Sequence, residues 1–386
     1  MQVVLFDNKH RNKLYPFTQT RAVAEIRTGI LTNKERWEYL SGTDVFILTE
    51  NYLQPLYNDY ITGDILLIDA SVIFNEEQAK KILQIPKGYY VSYSKGFIAG
   101  RFTTSDKFDF NALNNLSFDK MINWKEDVTR LDYPWQIFQH NETFLKNDFA
   151  LITEGRKSQP IDASNTVIAS ENIFVEEGAN ISCSILNAST GCIYIGKNAI
   201  LQEGCLIRGA FSLGENSLLK MGTKIYGATT IGNNCVVGGE IKNTMIQANS
   251  NKAHDGYLGD SIIGEWCNLG ASTSNSNVKN NASIVSVWNE DAKAKINVAQ
   301  KCGVFMGDYT RTAINSSINT GSVYGVCCNV FGAGLLPKKI ANFSWGNDDT
   351  YNIDKAIVDI DNWKKMKQQT LNETEKNILK HLSEHI

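Results

Sequence analysis

A histidine in the second half of the chain stands among residues that could do transfer chemistry. His254 lies in NKAHDGYLGD (251–260), and Lys242 precedes it in EIKN. A neutral imidazole can accept the proton of an attacking amine, because its ordinary pKa is about 6.5. Lys242 and Arg208, in CLIRGA, are of the types that bind a phosphate dianion. A lone histidine in a polar loop is commonly just solvated, so these residue types alone leave its role open.

These residues fall within a repeat of six residues, each unit opened by an apolar side chain. The step runs from Ile161 to Ile185 and from Ile195 to Val237. It continues at Ile263 and Leu269 and closes between Met306 and Val330. Such a period predicts a solenoid in which three units form one coil of about 18 residues. The step fails at 239–262 and 275–303, and we expect both gaps to project as loops from a binding face.

The first part of the chain has a different pattern. Short apolar runs alternate with polar segments of helical spacing, which predicts a mostly parallel α/β sheet of Rossmann-like type. The expected strands are 3–6, 45–49 and 65–69, and the expected helices are 33–40 and 75–83. The predicted organisation is an α/β domain at 1–124, a linker helix at 125–160, a β-helix at 161–340 and a helical tail at 341–386.

Composition narrows the class of protein. The net charge of −3 gives no attraction to nucleic acid, and no apolar run reaches the roughly 20 residues of a membrane span. The N-terminus has its apolar run before its basic residues, the reverse of a signal peptide. We therefore expect a cytoplasmic protein whose eight cysteines are small buried side chains without disulfides.

The stretches EIKN, KAHDGYLGDSIIGEWCNLGAST and NSN resemble the acetyltransferase domain of bifunctional enzymes of UDP-N-acetylglucosamine synthesis, closest to a divergent bacterial branch. These enzymes join a sugar-phosphate uridylyltransferase to a glucosamine-1-phosphate N-acetyltransferase. The resemblance implies a left-handed parallel β-helix, acetyl-CoA as the acetyl donor and a homotrimer. It implies that His254 is the general base.

The resemblance also assigns binding residues. Those expected to hold the amino-sugar phosphate are Arg208, Lys242 and Tyr257, with Asn268 and Asn277 near the amine. Those expected along the pantetheine of acetyl-CoA are Ala271, Ile314 and Gly332. A further lysine of the family has no match in VKNNASIVSVWN.

The first domain resembles sugar nucleotidyltransferases through LYPFT after its first strand. The glycines that usually approach the nucleotide phosphates are absent, since no glycine precedes Gly29. Arg11, Lys13 and Arg21 could replace them, and Asp69 at a strand end could bind Mg²⁺. The domain either binds UTP through these cations or is a remnant without catalysis.

Three hypotheses follow for the whole chain. The first is N-acetylation of an amino-sugar phosphate coupled to a divergent nucleotidyltransferase domain. The second is a nucleotidyltransferase whose β-helix serves oligomerisation or regulation only, and the third is a scaffold without catalysis. A zinc site of three histidines is excluded within the repeats, where His254 is the single histidine.

Overall fold

The computed structural model describes residues 1–57, 60–94, 96–346 and 349–385. Its first part is a six-stranded sheet with the strands in the spatial order Val45–Leu48, Gln2–Phe6, Gly63–Asp69, Gly96–Thr104, Tyr89–Tyr93 and Lys120–Asn123. The first three strands are parallel, as the apolar runs predict, but Gly96–Thr104 is antiparallel to Gly63–Asp69. The sheet is therefore mixed rather than mostly parallel.

The helices of this domain begin and end where their side chains allow. Asn33–Ser41 starts at a capping box between Thr32 and Glu35 and stops at Gly42, whose φ of 66° suits a residue without a side chain. Glu76–Leu83 starts at a second capping box, formed by Asn75 and Gln78. Two short antiparallel pairs complete the domain: Arg27–Thr28 with Leu31–Thr32, and Val72–Ile73 with Thr129–Arg130.

The predicted linker helix is two consecutive helices, Trp135–Gln139 and Asn141–Thr153. They do more than link, because they pack between the first sheet and the β-helix. Asn141 Nδ2 donates to the Ala228 carbonyl at 3.0 Å, and Asp148 is paired with Arg36 at 2.8 Å with both side chains buried. These helices are therefore part of the contact between the two halves.

The second half is a parallel β-helix with three faces, named here by their order in each coil. The first face contains Thr166–Ile168, Ile185–Asn187, Leu206–Arg208, Lys224–Tyr226, Glu240–Lys242 and Tyr257–Gly259. The second contains Ile173–Val175, Ile193–Ile195, Phe211–Leu213, Thr229–Ile231, Met245–Ile246, Ile262–Ile263, Val304–Met306, Ser322–Tyr324 and Lys339–Ile340. The third contains Asn180–Ile181, Ile200–Leu201, Leu218–Leu219, Val236–Val237, Asn251–Lys252, Asn268–Leu269, Arg311–Thr312, Asn329–Val330 and Ser344–Trp345. Ser274–Asn275 and Ser317–Ile318 form a separate parallel pair, and Asp349–Thr350 pairs antiparallel with Ser344–Trp345.

The fold predicted from the repeat, a parallel β-helix behind an α/β domain, is confirmed by the sheet topology, and its left hand remains what the family resemblance implies. Its inward positions follow the predicted step from Ile195 to Val237, all of them buried. Two positions of the predicted step are wrong. Ile185 is exposed while its neighbour Leu186 points into the core, and Ala179 precedes by two residues the buried Ile181, which pairs with the inward Leu201. The extra residues between the first and second coils move the phase at this point.

The first predicted gap, 239–262, is not an inserted loop. The coil continues through it, with Ile241, Ile246, Lys252 and Leu258 in the inward positions. The step is lost because the coils are shorter: 18 residues separate Ile207 from Ile225, but 16 separate Ile225 from Ile241. His254 therefore lies in a tight corner between the third and first faces.

The second gap is a true insertion. It contains the hairpin Val285–Asn289 and Ala294–Ala299, which packs back on the chain's own α/β domain. Val285 and Val287 are fully buried there, and Asn289 Nδ2 donates to the Lys13 carbonyl at 3.3 Å. The expected free loop is instead an interdomain contact.

The C-terminal tail contains two helices, Ile353–Lys365 and Glu373–Glu384. They cover part of the third face, where Lys367 Nζ donates to the Asn249 carbonyl at 2.9 Å and the Arg311 guanidinium lies 5.3 Å from the Trp363 ring. Within the described residues, none of the helices has the length and apolar character required to traverse a membrane.

Candidate functional site

The outward side chains of the first face form two adjacent rows. Tyr226 is opposite Lys242 in the strand register, and the register of the preceding strand places Arg208 opposite Tyr226. The second row runs through Lys224, Glu240 and Tyr257. Because neighbouring strands are about 4.8 Å apart, the backbones at Arg208 and Lys242 are about 10 Å apart. Both long cations can reach the same small anion.

Tyr226 and Glu240 organise the space between these cations. The Tyr226 hydroxyl donates to Glu240 Oε1 at 2.6 Å, and Lys242 Nζ lies 5.7 Å from the centre of the Tyr226 ring. The hydrogen bond to Glu240 raises the pKa of Tyr226 to about 12, with burial as a smaller cause. Sequence reasoning missed Tyr226, Glu240 and Lys224, although their coil spacing from Arg208 and Lys242 could have placed them on the same face.

A second cluster lies one strand further along the face. Asn277 Nδ2 donates to the Tyr257 hydroxyl at 3.0 Å and to Asp260 Oδ2 at 2.5 Å, and Asn243 Nδ2 donates to Asp260 Oδ1 at 2.7 Å. Asp260 is itself buried. Burial of the Tyr257 hydroxyl raises the pKa of Tyr257, and the negative charge of Asp260 raises it further. Tyr257 and Asn277, which are both predicted site residues, are therefore hydrogen-bonded to each other in the structure. Asp260 accepts hydrogen bonds from both asparagines, and its position in YLGD did not predict this role.

His254 lies at the corner that leads into this cluster. Its side chain is exposed, and none of the hydrogen bonds found among the described residues involves its ring nitrogens. The imidazole is therefore available to a ligand. It follows the inward Lys252 by two residues and precedes Tyr257 by three.

The corner of His254 is repeated in the later coils, and the three positions predicted for acetyl-CoA share it. Ala271, Ile314 and Gly332 each follow an inward residue of the third face by two positions, as His254 does. Ile314 is 68% exposed. These residues form one column along the edge of the β-helix, which offers a narrow surface of small and apolar groups.

Asn268 does not join the cluster. It lies on the third face, in register with Asn251 on one side and Arg311 on the other. The residue before the inward Leu269 points outward from the third face, so within one chain Asn268 lies apart from the cluster, and its place near the amine stays a prediction. The shortened coils hide this phase in the sequence.

The strand ends of the α/β domain have a different arrangement. Arg11 is buried, with Nε 2.9 Å from Asp7 Oδ2 and a second ion pair to Glu50 at 3.3 Å. Asp7 also accepts from the Thr49 hydroxyl at 2.7 Å and from the Val23 amide at 2.8 Å. Arg11 therefore holds the loop over the strand ends and is not exposed to a nucleotide phosphate.

The other two predicted cations are also engaged. Arg21 is paired with Glu265 at 2.8 Å and with Asp308, both on the β-helix, and Thr20 donates to Asp308 at 2.5 Å. Lys13 Nζ lies 5.8 Å from the centre of the Tyr133 ring. The loop that was expected to hold a nucleotide thus binds the β-helix instead.

Asp69 ends its strand as predicted, but its carboxylate is occupied. Asn8 Nδ2 donates to both oxygens at 2.9 and 3.0 Å, the Ser71 hydroxyl donates at 2.7 Å, and Arg130 lies 3.5 Å away. Burial raises the pKa of Asp69 against these contacts. No group of three or more His, Cys, Asp or Glu side chains suited to a metal exists in the described part of the chain. The Asp69 carboxylate is therefore engaged by donors of the protein itself, and a Mg²⁺ ion there would have to displace them.

A cleft of about 420 Å³ adjoins Asp69 through Arg130. It is lined by Tyr93, Ser94, Val128, Thr129, Arg130, Asp132, Gln136 and His140. Burial lowers the pKa of His140. This cleft is the open space that the domain retains near the carboxyl ends of its parallel strands.

Residues 3–157 match the family model described as sugar nucleotidyl transferase. The match covers the α/β domain and the two helices that follow it, which is less than half of the chain.

The curated relatives are named as bifunctional proteins, and one name states both activities. The chain is 34% identical over 119 residues to the bifunctional protein GlmU of Methanocaldococcus jannaschii, covering 31% of this chain and 28% of that protein. It is 27% identical over 216 residues to GlmU of Methanococcus vannielii, covering 53% and 43%. It is 31% identical over 101 residues to the bifunctional sugar-1-phosphate nucleotidylyltransferase/acetyltransferase of Sulfurisphaera tokodaii, covering 26% and 25%. The aligned regions thus span less than half of each relative.

Among solved structures, UDP-N-acetylglucosamine acyltransferase from Campylobacter jejuni is similar with a TM-score of 0.29 and 13% identity, covering 58% of this chain and 96% of that one. The polysialic acid-specific acetyltransferase NeuO is similar with a TM-score of 0.15 and 16% identity, covering 48% and 84%. We base the fold on the sheet topology instead, since these scores are low. The resemblance to bifunctional sugar-phosphate nucleotidylyltransferase/acetyltransferases, stated from the motifs, is confirmed by the family model and the curated relatives together.

Proposed function

We propose that the β-helix transfers an acetyl group from acetyl-CoA to the amine of an amino-sugar phosphate, glucosamine 1-phosphate being the substrate to test. The observation that carries this proposal is the exposed His254, whose ring has no hydrogen-bond partner among the described residues and which stands three residues before Tyr257, at the corner beside the face that contains Arg208 and Lys242. The proposed product leads toward UDP-N-acetylglucosamine.

In this mechanism Arg208 and Lys242 bind the phosphate, and the Tyr257 hydroxyl donates a hydrogen bond to the sugar. Asn277, whose two N–H groups are engaged by Tyr257 and Asp260, offers its Oδ1 as an acceptor. His254 accepts the proton of the amine as it attacks the thioester carbonyl, which needs an unprotonated imidazole. The C–S bond then breaks, the acetyl group stays on the nitrogen, and CoA leaves as the thiol with the proton held by His254. The pantetheine of acetyl-CoA lies along the corner column of Ala271, Ile314 and Gly332. Small side chains there leave room for an extended ligand.

The proposal includes a homotrimer in the cytoplasm. Exposed apolar side chains on and beside the first face support a neighbouring β-helix there: Ile185, Leu206, Met221 and Ile314. All eight cysteines are unpaired, which suits a reducing compartment. Light scattering of the purified protein should give a mass three times that of the 43.1 kDa chain.

For the α/β domain we propose descent from a sugar nucleotidyltransferase with the nucleotide-binding loop committed to structure. Its occupied Asp69 and its buried Arg11 and Arg21 support this. Pyrophosphate release from UTP and a sugar 1-phosphate tests it directly. Turnover comparable to acetyl transfer would contradict it.

The central test is a steady-state assay with acetyl-CoA and glucosamine 1-phosphate, followed by thiol release. His254→Ala should lower kcat by about 10²- to 10⁴-fold, the usual contribution of a general base. His10→Ala, an exposed histidine of the other domain, is the matched control. Absence of thiol release, or equal rates for His254→Ala and the wild type, would reject the proposed function.

A further inference from the structure

The corner that carries His254 is built differently from the other corners of the third face. The coils that meet there have 16 and 17 residues between inward positions, measured from Ile225 to Ile241 and from Ile241 to Leu258. Gly256 adopts a φ of 120°, which side chains disfavour, whereas Gly204, Gly222 and Asn315 at the equivalent corners adopt φ values of 75°, 72° and 56°. At this tightened corner, carbonyl groups of Gly238 and of residues 254 and 255 accept hydrogen bonds from inside the core.

The group that meets these carbonyls is a lysine in an apolar column. Lys252 takes the inward position between Val237 and Leu269, and it is 2% exposed. Its Nζ donates to the carbonyls of Gly238 at 3.2 Å, of Asp255 at 3.3 Å and of His254. A buried ammonium is unfavourable unless its N–H groups are satisfied, and here three donors meet three acceptors.

We propose that Lys252 is the positioning residue of the site, fixing the main chain on both sides of the His254 side chain and thereby aiming the imidazole along the corner. The proposal rests on the proposed role of His254 as general base. An aliphatic residue would fill the core position equally well, as Val237 and Leu269 do in neighbouring coils. It would leave the His254 and Gly238 carbonyls without the donor that holds them.

The chemistry of the lysine suits this role near neutral pH. Burial lowers the pKa of Lys252 to about 8, with Asp255 opposing the shift. The ammonium, with its three donors, is therefore the main form at neutral pH. The side chains above and below it in the column, Val237 and Leu269, are apolar.

The experiment compares Lys252→Met with Lys252→Gln and with Leu219→Ala. Leu219 is a fully buried inward residue of the same face, two coils away, and serves as a control for a damaged core. Lys252→Met should lower kcat at least tenfold and leave the KM values for both substrates within twofold. Lys252→Gln, which keeps two N–H donors, should recover part of the loss. Leu219→Ala should keep kcat per folded molecule within twofold.

A second readout does not depend on acetyl transfer. The rate at which diethylpyrocarbonate modifies His254, followed by mass spectrometry of its peptide, should change severalfold in Lys252→Met while His10 reacts as before. If Lys252→Met fails to fold, Lys252→Gln gives both readouts.

Unchanged kcat and unchanged His254 reactivity would overturn the proposal, as would a loss equal to that of Leu219→Ala at matched stability. The proposed function fails separately, if His254→Ala does not affect acetyl transfer. In that event the modification rate still decides whether Lys252 positions the histidine.

Discussion

The first face of the β-helix and the strand ends of the α/β domain each collect several charged residues, but they use them in opposite ways. On the first face Arg208 is exposed, and the Lys242 ammonium lies over the Tyr226 ring at 5.7 Å from its centre, with no ion pair among the described residues. At the strand ends Arg11 and Asp7 are buried against each other. The same residue types therefore indicate a ligand site in one region and a buried structural ion pair in the other. Access to solvent separates the two cases.

The strongest way to test this contrast is Arg11→Met. It should reduce the free energy of unfolding by about 3–5 kcal/mol, because Asp7 would stay buried without its cation. Urea denaturation measures the loss, and Lys9→Met, at an exposed neighbouring position, should change it by no more than about 0.5 kcal/mol. Weaker UTP binding with unchanged stability would make the strand ends a ligand site after all.

The complementary test removes the exposed cations one at a time. Arg208→Ala and Lys242→Ala should each raise the KM for the sugar phosphate roughly tenfold to a hundredfold, since a hydrogen bond to a charged group contributes about 1.5–3 kcal/mol. Unfolding free energy should stay within about 0.5 kcal/mol of the wild type. Lys197→Ala, exposed outside the first face, is the control, and a KM unaffected by both substitutions would remove the anion site.

Lys252 combines the two cases, because its charge is buried although the residue lies two positions before His254. Its pKa of about 8 in the folded protein is below the value of 10.5 for the free side chain. Between these values the unfolded chain binds more protons, so the wild type gains stability as the pH rises, by at most about 1.4 kcal/mol per pH unit. Lys252→Met should lack this gain in denaturation series from pH 7 to 10.5, and parallel curves would contradict it.

The smallest expected effect is the difference in kcat/KM between alanine substitutions of Asn277 and Asn268. Asn277→Ala removes a donor to Tyr257 and Asp260 and should reduce kcat/KM roughly two- to tenfold, the worth of one hydrogen bond. Asn268→Ala, on the third face, should change it less than twofold. The reverse order would place the substrate on the third face.

Much of this arrangement is present in the sequence. The apolar runs at 3–6 and 65–69 predict the parallel strands, and the unbroken hexads from Ile195 to Val237 predict the β-helix. Local signals suffice in these segments because each residue faces the core of its own element. Tyr257 and Asn277 are placed together by the motif and by the structure.

The remaining features depend on contacts between distant parts of the chain. Arg11 looks like a phosphate ligand until Glu50 and Asp7 enclose it, and Arg21 is claimed by Glu265 and Asp308 of the other half. The corner at His254 looks like an insertion because a shortened coil and an inserted loop break a six-residue step equally. Lys252, the least typical residue of the column, is the sequence signal that separates them.

The inserted hairpin has a consequence for how such a protein can change over evolutionary time. Val285, Val287 and Phe305 of the β-helix share one apolar core with Leu14 and Trp135 of the first domain. A break in the gene between the halves would expose this shared core on both products. The two parts are therefore not interchangeable modules, because each covers apolar side chains of the other.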